Sequence, residues 1–212
     1  MKDSELSFAP LKGLSHQAPK KAVYLTFDDG YLSFYDTVFP TLVAEDIPAT
    51  LFIITDYVGR CNDWEVTFRV NQRRHLGWDQ IREISAAGIE IGSHTRIHRD
   101  LTRLSSDELQ GELEDSRKIL EEHTGKEVTS LALPFGAVNL DVFACAREVG
   151  YQEICGGAPG FRGPFPGVLP RMPVYRWDGA RSLKRKLELS LWETVRLRGL
   201  QFCSRGTRLL KK

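Results

Sequence analysis

The chain has no long run of apolar residues. Its longest apolar stretches, such as residues 51–54, are far shorter than the roughly 20 residues that a helix needs to span a bilayer. The first 23 residues also lack the apolar segment and the cleavage site of a secretory signal. We therefore expect a cytoplasmic protein, or one bound at most peripherally to the inner membrane face.

The chain also lacks an excess of charge of either sign. Lys and Arg number 29 and Asp and Glu number 28, which gives a formal net charge of +1. A near-neutral chain has no general electrostatic attraction to polyanions, so we expect no nucleic-acid partner. Residues 181–212 are the exception, with ten Lys and Arg against two Glu.

Cysteine is scarce, and its spacing is irregular. No two of the four cysteines have C-x-x-C spacing, which argues against a zinc finger and against a disulfide framework. Reduced thiols are expected, although the even number leaves bridges open. The four are Cys61, Cys145, Cys155 and Cys203.

Segments typical of strands and of helices alternate along the chain. The segments predicted as strands are KAVYLTF, ATLFIIT, IEIGSH, SLALPFG, YQEIC and GVLPRMPVYRW. The clearest helix is SSDELQGELEDSRKILEEHTG, in which Ser105 and Glu108 have the spacing of a capping box and Gly125 ends the pattern. This alternation predicts a parallel sheet covered by helices, either an open sheet or a barrel.

Polar residues directly follow several of the predicted strands. Asp28 and Asp29 end the first strand, in YLTFDDGY, and His94 and His98 follow the third. Two adjacent carboxylates raise each other's pKa unless a cation lies near them. Because parallel strands end at the same edge, one carboxylate and two imidazoles can meet there as a metal site that leaves positions open for water.

These residues also predict a reaction. If the segment HTRIH is helical, both imidazoles face one ion, and one aspartate completes the site. The other aspartate can then take a proton from water beside the ion, which predicts metal-assisted hydrolysis. Each motif alone is common in turns and helix caps, so the prediction depends on their joint occurrence after parallel strands.

The same motifs resemble those of the NodB-like polysaccharide deacetylases of carbohydrate esterase family four. TFDDG resembles the first motif of that family, SHTRIH the second and LALPFG the third, over residues 21–178. The resemblance implies a distorted, incompletely closed (β/α) barrel. It leaves an N-terminal arm at 1–20 and a basic helical extension at 179–212.

The resemblance also implies roles for individual residues. Asp29, His94 and His98 would bind a divalent metal, usually zinc, and Asp28 would be the general base. A backbone N–H near Phe135 would help to hold the developing oxyanion. The implied reaction removes an acetyl, or a formyl, group from an amino sugar of a polysaccharide or a lipid-linked saccharide. The substrate-binding residues of the third motif would be Pro134, Phe135 and Gly136.

One arginine of the family pattern is missing. Ala132 stands where many members have the arginine that orients the catalytic aspartate. Arg171, in LPRMPV, either supplies a comparable charge or is an ordinary exposed arginine beside a proline turn. We include Arg171 with Asp28 among the candidate catalytic residues.

The histidine of the last family motif, the general acid, is also missing. No histidine follows Asp178, and of His16, His75 and His123 the least implausible substitute is His75. A second hypothesis is therefore a saccharide-binding barrel that keeps the metal but has weak or no activity. The spare carboxylate of Asp28 favours an enzyme, since a binding protein has no use for it.

The basic C-terminal segment combines charge with a regular apolar pattern. Leu183, Leu187, Leu191 and Val195 recur every four residues among Lys and Arg. Either this stripe packs on the barrel, or the segment 181–212 lies on an anionic membrane surface. The second alternative would suit a lipid-linked substrate.

Overall fold

The computed structural model of the chain describes residues 7–14, 22–62, 73–157 and 165–187. The strands in these ranges are β1 Ser7–Phe8, β2 Ala22–Val23, β3 Leu25–Phe27, β4 Ala49–Ile53, β5 Glu90–Ser93, β6 Ser130–Ala132, β7 Glu153–Cys155 and β8 Val168–Leu169. The α-helices are α1 Phe39–Ala44, α2 Trp78–Ala86, α3 Ser106–Thr124, α4 Leu140–Val149 and α5 Ala180–Leu187. Short helical turns lie at Phe34–Val38, Thr55–Tyr57, Leu101–Arg103 and Pro134–Gly136.

Strands β3 to β8 form one parallel sheet whose spatial order is the order of the sequence. Within the described ranges no ladder joins β8 back to β3, so the sheet forms an open half-barrel. The two edges nevertheless approach, since Arg171 Nη1, just after β8, donates to Thr26 Oγ1 in β3 at 3.2 Å. The predicted distorted, incompletely closed barrel is confirmed.

The core fills both sides of the sheet. β4 is buried at all five residues, because a parallel strand that is covered on both faces is apolar throughout. Leu51 and Ile53 pack in the large cluster beneath the helices, whereas Phe52 packs in a small cluster on the other side with Leu11. Gly92 in β5 makes room for that ring, since a Cβ there would lie 2.5 Å from Phe52 Cε1.

Helix α3 has the ends that its sequence predicts. The Ser105 and Glu108 side chains each bond the other residue's backbone N–H, as in a capping box, and Gly125 ends the helix at φ 67°. The apolar stripe is buried at Leu109, Leu113 and Leu120, so this face anchors the helix to the sheet. This prediction is confirmed.

All six predicted strands are shorter in the structure, and the first and the sixth also differ in how they pair. KAVYLTF divides at Tyr24, so that β2 pairs with β1 and only β3 joins the main sheet. The sixth strand is limited to Val168–Leu169, and the chain leaves the sheet at Pro170. One further backbone bond, from Arg171 N to Gly157 O at 3.3 Å, follows Pro170, but the regular ladder ends at Leu169.

The N-terminal arm makes specific contacts where it is described. Leu11 is only 4% exposed, and the backbone N–H groups of Lys12 and Gly13 donate to carboxylates of Glu90 and Glu153 at 3.0 Å. Residues 7–14 thus pack against the barrel. The boundaries predicted at 20 and 178 stay predictions, and His16 and residues 158–164 lie outside the described ranges.

The C-terminal segment is described only as far as Leu187. Leu183 and Leu187 are 36% and 52% exposed, and Leu191 and Val195 lie outside the described residues, so membrane contact stays a prediction. None of the helices in the described ranges is long and apolar enough to cross a membrane. Cys61, Cys145 and Cys155 are free, and Cys203 lies outside the described residues.

Candidate metal centre

The turn after β3 separates the two adjacent aspartates. Asp29 and Gly30 both have left-handed backbones, with φ of 72° and 67°. The turn is fixed from behind, because Leu76 N donates to Gly30 O at 2.9 Å and His75 Nδ1 lies 2.8 Å from Asp29 O. The turn carries Asp29 towards His94, whereas the carboxylate of Asp28 bonds Arg171.

His94 follows β5 and is held in one tautomer. Its ring is buried, and Nδ1 lies 2.7 Å from the carbonyl oxygen of Ala132. Because a carbonyl oxygen only accepts, Nδ1 carries a proton, so the neutral form of the ring presents the lone pair of Nε2. Nε2 lies 3.5 Å from Asp29 Oδ1. A hydrogen bond of this kind orients a histidine for metal binding.

His98 reaches the same point from a loop rather than from a helix. Thr95 and His98 have φ of 66° and 57°, so the segment HTRIH is not the helical turn considered from the sequence. The two imidazoles still converge, with ring centroids 4.8 Å apart. His98 Nε2 lies 3.8 Å from Asp29 Oδ1.

The three side chains form a cluster with the donor set of a metal site. One ligand atom each from Asp29, His94 and His98 lie within 4.8 Å of one another. Asp29 Oδ1 is buried and accepts no hydrogen bond, which is costly for a carboxylate unless a cation lies beside it. Burial raises the pKa of Asp29, the His94 charge opposes this, and Asp28 adds repulsion, so that the pKa is raised overall. These residues therefore fit a divalent ion with two nitrogen ligands and one oxygen ligand.

Asp28 makes a two-pronged ion pair with Arg171. Arg171 Nη1 and Nη2 donate to the two oxygens of Asp28 at 2.6 and 2.8 Å. The guanidinium lies over the Phe52 ring, 5.5 Å from its centroid, and Nε donates to Gly156 O at 3.3 Å. Burial acts to raise the pKa of Asp28, but the charges of His94 and Arg171 outweigh it, and the pKa is lowered. The structure thus brings the two candidate catalytic residues together.

Ala132 lies at the end of β6, whereas the arginine that pairs with Asp28 lies just after β8. Ala132 is completely buried in the small cluster that contains Phe52, over which the Arg171 guanidinium lies. A guanidinium therefore reaches Asp28 from β8 instead of from β6.

The third motif forms a tight turn at the rim of the centre. Phe135 and Gly136 have φ of 58° and 60°, and a Cβ on Gly136 would lie 2.4 Å from the backbone of Gly157. This packing holds the Phe135 ring edge-to-face on His98, with centroids 4.8 Å apart, while 38% of Phe135 stays exposed. Pro134, by contrast, is buried.

His75, the substitute acid considered from the sequence, lies behind the Asp29 turn. It is 2% exposed, and its ring packs against Tyr31 and Tyr57 with centroids 4.8 and 5.5 Å away.

One buried acidic residue near the centre, Glu112, was not predicted from the sequence. Glu112 lies on the apolar stripe of α3, and its carboxylate accepts backbone hydrogen bonds from residues 94–98, which we call the histidine loop. The sequence signal that could have identified Glu112 was an acidic residue between Leu109 and Leu113 on the apolar face of the helix.

The half-barrel and the cluster at the carboxyl ends of its strands define a class of barrel proteins with a candidate metal centre. Residues 15–154 match the family model described as polysaccharide deacetylase. Because this match covers more than half of the 212 residues, the chain belongs to the polysaccharide deacetylase family.

Individual relatives are similar over parts of the chain. YxkH of Bacillus subtilis (strain 168) is 32% identical over 133 residues, which are 63% of this chain and 43% of YxkH. The poly-beta-1,6-N-acetyl-D-glucosamine N-deacetylase of Escherichia coli (strain K12) is 42% identical over 81 residues, 36% of this chain and 12% of the relative. The chain thus spans less than half the length of either relative. The Streptococcus pyogenes deacetylase PplD, solved with acetate, has 27% identity and a TM-score of 0.62 over 73% of this chain and 67% of PplD.

Proposed function

We propose that the chain is a metal-dependent hydrolase that removes an acetyl, or a formyl, group from an amino sugar of a polysaccharide or a lipid-linked saccharide. The observation that carries the proposal is the pairing of an ionised Asp28 with Arg171 next to the cluster of Asp29, His94 and His98. The names of the Escherichia coli relative and of PplD support the reaction class.

In this proposal, Asp29, His94 and His98 hold the ion, for which zinc is the first candidate. When bound, such an ion polarises a carbonyl oxygen and lowers the pKa of water to about 7. Asp28 lies beside the cluster without belonging to it, and Arg171 keeps it ionised. Asp28 is then the base that takes a proton from the attacking water.

The departing amine needs a proton, and the histidine of the last family motif is missing. We assign this proton to Asp28 as well. The proton that Asp28 takes from water goes to the nitrogen as the C–N bond breaks, which leaves a carboxylic acid, an amine and an ionised Asp28. The second proton of the water stays on the carboxylic acid, which then loses it to the amine or to solvent. The lowered pKa of Asp28 favours this return, since a stronger acid gives up its proton more readily. A backbone N–H near Phe135 donates to the developing oxyanion.

The second candidate is a saccharide-binding barrel that keeps the ion without turnover. The absence of a histidine after Asp178 favours this candidate. A binding protein does not need an ionised Asp28 paired with Arg171, and therefore we rank this candidate second.

Acetate release from N-acetylglucosamine oligomers tests the proposal. Metal-stripped protein is assayed with and without zinc, beside Asp28→Asn and the control Asp36→Asn, which makes the same change at an exposed aspartate. We expect release that needs zinc, is lost by roughly 10²- to 10⁴-fold in Asp28→Asn and is unchanged in Asp36→Asn. Zinc bound without release, from oligomers and from lipid-linked saccharides alike, would favour the binding protein.

A further inference from the structure

The loop that carries both histidines has no regular structure, yet its backbone N–H groups are bonded. Thr95 N donates to Ser93 Oγ at 3.1 Å and His98 N to Thr95 Oγ1 at 3.2 Å. The two N–H groups between them, of Arg96 and Ile97, donate to one oxygen, Oε2 of Glu112, at 2.9 and 3.2 Å. A single carboxylate therefore fixes the centre of the loop.

The opposite side of the loop is fixed by backbone. Thr55 N donates to Thr95 O at 3.2 Å, and Asp56 N donates to Arg96 O at 3.0 Å. The Arg96 guanidinium also pairs with Asp56 at 3.1 Å and with Asp115 of α3 at 3.0 Å. The loop is thus held between the turn after β4 and helix α3, and α3 contributes through Glu112 and Asp115.

Glu112 is an unusual residue for its position. It is 7% exposed and lies on the face of α3 that buries Leu109 and Leu113. A buried carboxylate is unfavourable unless hydrogen bonds and a countercharge compensate it. Helix packing alone would be better served by an apolar residue. The two N–H bonds and the nearby Arg96 are the compensation, and both belong to the histidine loop.

We propose that Glu112 is a positioning residue of the metal centre. It acts through the backbone of Arg96 and Ile97, and it sets the separation of the His94 and His98 imidazoles before an ion binds. Left-handed backbone at Thr95 and His98 makes the loop conformation unfavourable by itself, so the loop needs this support. The inference rests on the proposed function, because it needs these histidines to be metal ligands.

The zinc affinity of the metal-stripped protein tests the inference without any assay of activity. The dissociation constant is measured by competition with a chromogenic chelator, for wild type, Glu112→Ala, Glu112→Gln and Glu114→Ala. Glu114 is the matched control, since it is an acid on the same helix whose carboxylate bonds Lys118 at 2.6 Å at the surface. Thermal unfolding of each apo-protein is measured to check that it is folded at the temperature of the titration.

We expect Glu112→Ala to bind zinc roughly 10- to 100-fold more weakly, the usual effect of losing a group that orients a ligand. Glu112→Gln keeps an oxygen acceptor and should recover most of the affinity, and Glu114→Ala should match wild type. If folded Glu112→Ala bound zinc as tightly as wild type, or if the Ala and Gln variants lost equal zinc affinity, the positioning role of Glu112 would be overturned. The assignment of the metal centre would not be affected. A wild-type protein that binds no zinc would overturn the metal centre as well.

Discussion

The ion pair between Arg171 and Asp28 makes a prediction about pH. Arg171→Met removes the guanidinium and keeps an unbranched apolar chain that can still lie on Phe52. The substitution leaves Asp28 beside Asp29 without its countercharge. Since Arg171 lowers the pKa of Asp28, its removal must raise that pKa. The ionised form of Asp28, which acts as the base, is then lost at a higher pH than in wild type.

The size of the shift follows from the geometry. Two charges about 4 Å apart interact by about 4 kcal/mol at an effective dielectric constant of about 20 and by about 1 kcal/mol in water. Because 36% of the Asp28 side chain and 21% of the Arg171 side chain are exposed, solvent screening moves the pair towards the lower value. About 1–2 kcal/mol corresponds to roughly one pKa unit.

The assay is the pH dependence of kcat/KM for acetate release at saturating zinc. In wild type, activity should fall only at strongly acidic pH, and in Arg171→Met the acidic limb should move up by about one unit. Arg171→Lys keeps the charge and should shift the limb less, although it loses the two-pronged geometry. Arg176→Met, at an exposed arginine nearby, should leave the limb unchanged. A limb that stays in place in Arg171→Met would refute the assignment of Asp28 as the base that Arg171 keeps ionised.

Three further substitutions test the centre and the fold. Asp29→Ala should abolish stoichiometric zinc binding, because it removes the oxygen between the two imidazoles, and a bound ion detected by atomic absorption would contradict the cluster as the metal site. Gly92→Ala should lower the free energy of unfolding by about 1–3 kcal/mol, because its Cβ would overlap the Phe52 ring, and an unchanged denaturant midpoint would show that the ring can move away. Ser105→Ala should cost about 1 kcal/mol by removing the cap of α3, which thermal unfolding can measure, and no loss would mean that the Glu108 side chain alone satisfies the helix end.

Local chemistry explains which parts of the fold could be predicted from the sequence. The ends of α3 depend on residues within one turn of each other, so Ser105, Glu108 and Gly125 suffice to place them. The positions of Asp28, Asp29, His94 and His98 followed from one rule, that parallel strands end at the same edge. These predictions needed no knowledge of packing between distant segments.

Contacts between distant segments explain what the sequence could not settle. Arg171 and Asp28 are 143 residues apart, and no local pattern distinguishes an arginine that crosses the barrel from one at its surface. The loop conformation of residues 94–98 has the same cause, since Glu112 of α3 and the turn after β4 impose it. A helical turn at HTRIH was the simplest local solution, but tertiary hydrogen bonds override it.

Backbone strain separates a built centre from an accidental cluster. Of the five residues other than glycine with left-handed backbone in the described ranges, four belong to the centre: Asp29, Thr95, His98 and Phe135. Each such residue costs roughly 1–3 kcal/mol, and glycine would remove most of that cost. Two of the four, Asp29 and His98, are proposed ligands of the ion, and Thr95 and Phe135 contact His98, so the strain is concentrated at the residues that build the centre. A binding barrel would need the same strained residues, but it would not need Asp28 as an ionised group that is not part of the Asp29 cluster. The ion pair with Arg171 keeps Asp28 ionised outside the cluster. The strained backbone is therefore an argument for an ion site, and the Asp28–Arg171 pair is an argument for catalysis at that site.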